Sequence, residues 1–289
     1  SQEQLKNMVG DRLKQDKRYE KMIKEGNRCW TLNYAESTRF HMDILPAIPD
    51  HDINGLARDI GNELAADAIL VTDRKLREWQ RSNPIGYGEW FKERMKVRFD
   101  ERRKMIAASL KANVEEVPDY KVKTPLQRAI QILKRHRDIM FSNDRGDRPI
   151  SIIISTLAAR AYSNEADLLD ALQSIVNKMP DFIEKNEKGN SCITNPVNPH
   201  ENFAEKWQQK PQLETKFRKW LDQVRVDIET ALQTSDVRTL TESLKPRFGD
   251  RVINKAAAKP FPKDDTSVKV IGSAAPSVVI SKPSKPWGE

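Results

Sequence analysis

Asp43 is a lone acid inside an apolar run, in the stretch STRFHMDILPAIPD (residues 37–50). In an extended chain alternate side chains share a face, so Phe40, Met42 and Ile44 point one way while His41, Asp43 and Leu45 point the other. This arrangement displays a carboxylate beside a core, where it is costly unless a cation or hydrogen-bond donors meet it. A local salt bridge is the ordinary solution. Ser151 is a second residue with chemistry in its setting. It opens the apolar run PISIIISTLAARAY (149–162), and a hydroxyl among the free N–H groups of a helix's first turn can bind an anion or simply cap the helix.

The elements that must position these residues follow from periodicity. Residues 3–25 read as a charged helix with Leu5, Met8, Val9 and Leu13 on one side. RCWTLNY (28–34), RFHMDILPA (39–47) and DAILVT (67–72) read as three strands of one small sheet. From Gly88 the pattern becomes EWFKERMKVRFDERRKMIAASL, a long helix suited to connecting two lobes. Thr124, Pro125 and Gln127 have the chemistry of a helix start, and PLQRAIQILKRHRDIMF follows at helical period. The isoleucine-rich run after Ser151 has the length of a buried helix, and three further amphipathic helices occupy 166–185, 211–232 and 235–249. After Gly249 the composition shifts to Lys, Pro, Ala and Ser, which predicts disorder over 250–289. The expected divisions are 1–115, 116–249 and 250–289.

The chain has 289 residues, enough for two domains of ordinary size. Its net charge of +8 and pI near 9.3 suit polyanionic partners and equally a mildly basic solvated surface. The two cysteines, Cys29 and Cys192, stand outside any disulfide or zinc spacing, and pairing Cys192 with His200 supplies too few ligands for a metal. This usage fits a reducing cytoplasm. No run of about 18 apolar residues is present, and the N-terminus lacks the apolar centre of a signal peptide, so a soluble protein without membrane association is expected.

Five passages, in order, carry a resemblance: FHMDILPAIPD (40–50), VTDRKLREWQRSNPIGYGEWF (71–91), LKRHRD (133–138), RPISIIISTLAARAY (148–162) and TNPVNPHENFAEKW (194–207). Together they resemble the polymerase-beta-type nucleotidyltransferases. In particular the chain is similar, over roughly residues 1–249, to the CD-NTases, bacterial relatives of animal cyclic GMP-AMP synthase and the oligoadenylate synthases found in anti-phage signalling operons. The resemblance implies an α+β fold: a polymerase-beta-like nucleotidyltransferase lobe with a small mixed sheet, and a mainly helical, oligoadenylate-synthase-like lobe. It implies a magnesium-dependent cytoplasmic enzyme that joins ribonucleoside triphosphates, ATP and GTP among them, into a cyclic di- or trinucleotide. Two magnesium ions would be held by three carboxylates, and Asp43 matches the third, as metal ligand and catalytic acid.

By the same resemblance Lys134, otherwise a solvated helix lysine, is the cation that reaches the donor triphosphate, and Ser151 is a phosphate-binding serine. The expected source of the first two acids, a Gly-Ser turn followed by a DxD strand, is not found in residues 1–36, where Asp11 and Asp16 are wrongly spaced. The chain is therefore expected to lack half of its metal site and to be inactive alone. Trp79, Tyr87 and Trp90 suit packing near the lobe junction or stacking on a base, and Trp207 suits the core. Two other readings stay open. A linear oligonucleotide or RNA nucleotidyltransferase would need a basic track; beyond ERMKVRFDERRK (93–104) none is dense, so no stable nucleic-acid complex is expected. An interaction module would act through the tail, where SVVIS (277–281) and KPWGE (285–289) suit a HORMA-like or an E1/E2-like ubiquitin-type operon partner.

Overall fold

The computed structural model describes residues 1–35, 40–59, 61–75 and 78–258. The chain opens with α1 (Gln2–Gln15), whose first turn is closed by a reciprocal capping box between Ser1 and Gln4. The helix expected over 3–25 stops at Gln15. Asp16 turns its carboxylate back onto the Arg18 amide (2.9 Å) and guanidinium (2.6 Å), a local arrangement that competes with further helix. A strand, β1 (Ile23–Glu25), follows, then β2 (Trp30–Ala35) and β3 (Phe40–Ile44).

These three strands form an antiparallel sheet in the order β1-β2-β3, with Thr31 opposite Asp43. After a break at Pro46 the chain forms β4 (Ala47–Pro49), α2 (His51–Asp59), β5 (Ile69–Val71) and β6 (Gln80–Ser82). The DAILVT strand does not join β2 and β3 as expected; it is the centre of a second antiparallel sheet, β4-β5-β6. Pro46 has no N–H for a ladder, and its carbonyl instead accepts from the Thr72 amide (3.2 Å), which bends the chain from one sheet to the other. The single mixed sheet is thus replaced by small antiparallel ones among the described residues.

The first sheet buries Trp30 and Leu32 against α1. The Trp30 indole donates to the Lys6 carbonyl (2.9 Å), and its ring occupies the space over Gly10 where any Cβ would overlap it. Lys6 itself is buried; its ammonium donates to the carbonyls of Gly26 and Asn27 and pairs with Glu25 at 3.6 Å.

The connecting helix α3 (Pro84–Leu110) begins four residues before Gly88, because Asn83 caps it through the Gly86 amide (2.8 Å) with Pro84 in the first turn. The helical lobe starts with α4 (Pro125–Met140), capped by the Thr124/Gln127 box read from the sequence. Then come α5 (Ser151–Ala161) and α6 (Leu168–Lys178). Two short hairpins, β7 (Glu184–Lys185) with β8 (Ser191–Cys192) and β9 (Thr194–Asn195) with β10 (Asn198–Asn202), precede α7 (Lys206–Gln209), α8 (Gln212–Gln233) and α9 (Val237–Phe248). Disorder was expected from residue 250, but Asp250–Ala257 is helical (α10) and packs on α9. Val252, Ile253 and Ala256 share one helical face there, lining an apolar groove with α4, α6 and α8. The rest of the tail, including residues 277–281 and 285–289, lies outside the described residues.

The main core belongs to α4, α5, α6 and α8, with Trp207, Phe217 and Trp220 stacked along it at ring separations of 5.5 and 5.6 Å. Within it His136 is 2% exposed. The Trp220 indole donates to its Nδ1 (3.2 Å), which leaves the proton on Nε2 to donate to Asp227 (2.8 Å). Burial pushes its pKa below the ordinary histidine value, against the opposing pull of Asp227. The unfolded chain therefore takes up a proton near the ordinary value while the native chain does not. The stability linked to His136 is complete above that value and is lost as pH falls toward the lower native one. Thermal unfolding followed by circular dichroism from about pH 7.5 to about pH 5.5 should show Tm falling in the parent chain. His136→Gln should start from a lower Tm and fall less.

Candidate functional site

Between the second sheet and the helical lobe lies a cavity of about 440 Å³, lined among others by Leu45, Ser82, Tyr87, Ile150, Asn195 and Glu201. Tyr87 projects from the first turns of α3, its hydroxyl 3.0 Å from the Thr156 hydroxyl, its ring against Trp90 (5.4 Å) and edge-on to Phe203 (6.0 Å). Burial raises the Tyr87 phenol pKa. The same side chain forms a wall of a second cleft of about 290 Å³, shared with Lys123, Gln127, Lys134 and Ser155. The two spaces are neighbours across one aromatic ring.

Lys134 lines the second cleft, and Ser151 lies one helical turn before Ser155, a residue of that cleft's wall. Lys134 is half-buried on α4 and makes no hydrogen bond or ion pair among the described residues. Burial, and then the nearby Arg137 charge, lower its pKa, with Asp138 opposing. Ser151 is exposed in the first turn of α5, one residue inside the helix; Ile150 occupies the cap position without a side-chain cap, so the capping role is not filled by Ser151. Its hydroxyl accepts from Arg137 Nη1 (3.0 Å), which also donates to the Pro149 carbonyl (2.9 Å). One turn on, the Ser155 hydroxyl donates to the Ser151 carbonyl (2.9 Å) and faces the cleft that holds Lys134.

Asp43 has a different setting from the one expected. It is exposed on β3, an element whose Phe40 and Met42 are exposed as well, and its carboxylate accepts from the Thr31 hydroxyl on the paired strand (2.6 Å). The buried residues of this sheet are on β2, so no core lies behind Asp43 and its surroundings are not low in dielectric. It approaches the cavity through its own strand direction, Leu45 two residues on being a lining residue. Among the described residues no three His, Cys, Asp or Glu side chains gather as a metal site. Asp43 can offer one carboxylate, and one carboxylate does not fit a pair of magnesium ions.

Glu201 is the residue that sequence reasoning passed over. Its strand, β10, follows one Asn-Pro step and opens on a second, and the loop is fixed by asparagine side chains. Asn195 Oδ1 accepts from the Val197 amide (3.1 Å), and Asn202 Oδ1 accepts from the Ile193 (3.0 Å) and Ala204 (2.9 Å) amides. The Glu201 carboxylate accepts from Asn195 Nδ2 (2.8 Å) and, with both oxygens at 3.2 Å, from the Ser82 hydroxyl of the first lobe. Burial raises its pKa above the usual carboxylate range. The available sequence signal is a polar loop stiffened by prolines, which does not single out one acid. Nearby cations are already engaged: Arg28 with Asp73 (2.8 Å) and Glu205 (3.6 Å), and Arg81 with Asp50 (2.8 Å).

No family model matches the chain. Over 255 residues it is 30% identical to a c-di-GMP synthase of Roseivirga ehrenbergii, an alignment covering 86% of this chain and 62% of that protein. It is 26% identical over 247 residues to the cyclic dinucleotide synthase CdnG of Bradyrhizobium diazoefficiens, covering 79% of this chain and 56% of CdnG. The structure of that CdnG, a CD-NTase in complex with GTP, superposes with a TM-score of 0.59 over 81% of this chain and 67% of CdnG, at 23% identity. This chain has the fold of the CD-NTases and is similar to them in sequence. A third CD-NTase, E. coli CdnC in complex with a HORMA protein, superposes with a TM-score of 0.54 at 15% identity, covering 86% of this chain and 71% of CdnC. The α+β architecture of the CD-NTases is thus the fold of this chain, which spans less than two thirds of the length of the two synthases it matches in sequence. Among the described residues no helix is long and apolar enough to cross a membrane.

The exposure of Asp43 has a measurable consequence. Asp43→Asn exchanges one acceptor of the Thr31 hydroxyl for another at the surface, and should leave the unfolding free energy within about 0.5 kcal/mol of the parent in urea titration.

Proposed function

We propose that this chain is the nucleotide-binding body of a nucleotidyltransferase that joins ribonucleoside triphosphates into a cyclic di- or trinucleotide. The observation that carries the reading is Lys134, a half-buried ammonium with no hydrogen bond or ion pair among the described residues, sharing a cleft with Ser155 of α5. Removing a cation partly from water without an acid to meet it is unfavourable, and a polyanion entering from solvent relieves that cost. The hydroxyls of Ser151 and Ser155 and the α5 N-terminus add donors and positive potential on the same side. The neighbouring cavity, walled by Tyr87 and Phe203, is of a size and character for a nucleoside.

The chemistry proposed is attack of a ribose hydroxyl of one nucleotide on the α-phosphorus of another. The new bond joins that oxygen to phosphorus, the α,β-bridging bond breaks, and pyrophosphate leaves. The contribution of this chain is to hold the two nucleotides and to orient the triphosphate through Lys134 and Ser151. Magnesium would supply charge neutralisation and activation of the attacking hydroxyl. Asp43 is proposed as one of its ligands; the described residues do not complete the set, so the 289-residue chain by itself is proposed to make no product. The names of the two synthases support a cyclic dinucleotide product; the cytoplasmic, anti-phage setting remains part of the proposal. The HORMA complex of CdnC supports a HORMA-like partner; that the tail binds it, or binds an E1/E2-like partner instead, is proposed from the tail's sequence alone.

Lys134→Ala and Ser151→Ala should each weaken nucleoside triphosphate binding by about 1–3 kcal/mol with little change in Tm. Calorimetric titration with ATP and GTP checks this, and unchanged affinity in both variants would remove the triphosphate assignment. Incubating the parent chain with ATP, GTP and magnesium should give no new nucleotide by mass spectrometry.

A further inference from the structure

We propose that Glu201 reads guanine: its carboxylate accepts the paired N1–H and 2-amino donors of a guanine base held in the cavity between the lobes. The inference rests on the nucleotide-binding reading above and assigns the base. Glu201 is placed for recognition. Asn195 fixes one carboxylate oxygen (2.8 Å), whereas the other is met by the longer, shared Ser82 contact (3.2 Å). A carboxylate has about four acceptor sites, so capacity toward the cavity remains. The loop that carries it is held rigid by Asn195 and Asn202, so the oxygens do not need ordering when a ligand arrives.

The chemistry of the bases then selects among them. Guanine alone presents two adjacent N–H donors on its Watson–Crick edge, which match the two oxygens of one carboxylate. Adenine and cytosine place an unprotonated ring nitrogen where N1–H would be, opposing lone pair to lone pair. Uracil offers one donor between two carbonyls. Tyr87 and Phe203, edge-on to each other at 6.0 Å on the cavity wall, supply aromatic surface for the base plane. Burial that raises the Glu201 pKa also makes an unmet carboxylate there costly, so the pair of donors is worth more than at the surface.

Ser82 joins Glu201 across the two lobes, so a structural bridge is the competing explanation, and the test separates them. The full chain, with magnesium, is titrated calorimetrically with GTP, with ITP, which lacks the 2-amino group, and with ATP. The parent should prefer GTP to ITP, and Glu201→Gln should lose about 5- to 150-fold in GTP affinity, bind ATP as before, and no longer distinguish GTP from ITP. Ser82→Ala breaks the bridge and keeps the carboxylate, and should keep the GTP-over-ITP ratio. Equal binding of GTP and ITP by the parent, a preference for ATP lost in Glu201→Gln, or a Ser82→Ala variant that loses the ratio as Glu201→Gln does, each overturns the assignment while leaving nucleotide binding standing. A folded parent that binds none of the three nucleotides overturns both.

Discussion

Helix α5 buries seven of its eleven residues, so its polar obligations concentrate at its two ends, and arginines from two other helices meet them. From α3, Arg94 donates to the carbonyls of Ala159 (2.7 Å) and Tyr162 (2.5 Å), and Arg98 to that of Asn164 (2.6 Å). From α4, Arg137 holds Pro149 and Ser151 at the opposite end. Carbonyls left unmet in such a place cost about 1–3 kcal/mol each. The connecting helix and the helix of Lys134 are therefore both registered against α5, and the relative placement of Tyr87, Lys134 and Ser151 follows from that. The guanidinium fork suits the task, since one side chain spans several carbonyls of a helix end.

The site is built on this frame from side chains with unequal electrostatic needs. Lys134 has no ion-paired acid among the described residues, Glu201 has spare acceptor capacity, and Arg28 and Arg81 are already paired. On the proposed reading a polyanionic phosphate chain would answer the first need and a donor-bearing base the second. Asp43 stands apart from this pattern, exposed and accepting from the Thr31 hydroxyl.

How much of this could be read in the sequence depends on how local each cause is. The α4 start was legible because Thr124, Pro125 and Gln127 act within one turn. The burial of α5 was legible because its whole length is apolar. The early end of α1 was not, because the run 16–25 has helix-forming residues and the stop comes from one Asp16–Arg18 turn. The separation of the two sheets turned on a single proline, and the α10 helix on a three-residue apolar face inside a stretch of disorder-prone composition. Lys134 and Ser151 were picked out by resemblance; Lys134 lines the smaller cleft, and Ser151 stands one turn before Ser155 of its wall. Glu201 depends on Ser82, 119 positions away, and no local pattern carries that contact.

Tyr87 forms part of the wall of both the larger cavity and the Lys134 cleft. A partition shared in this way makes the occupancies of its two sides interdependent. On the proposed nucleotide-binding reading, a ligand that shifts the Tyr87 side chain on one side would change the wall met by a ligand on the other, and by reciprocity the coupling would be equal in either order of binding.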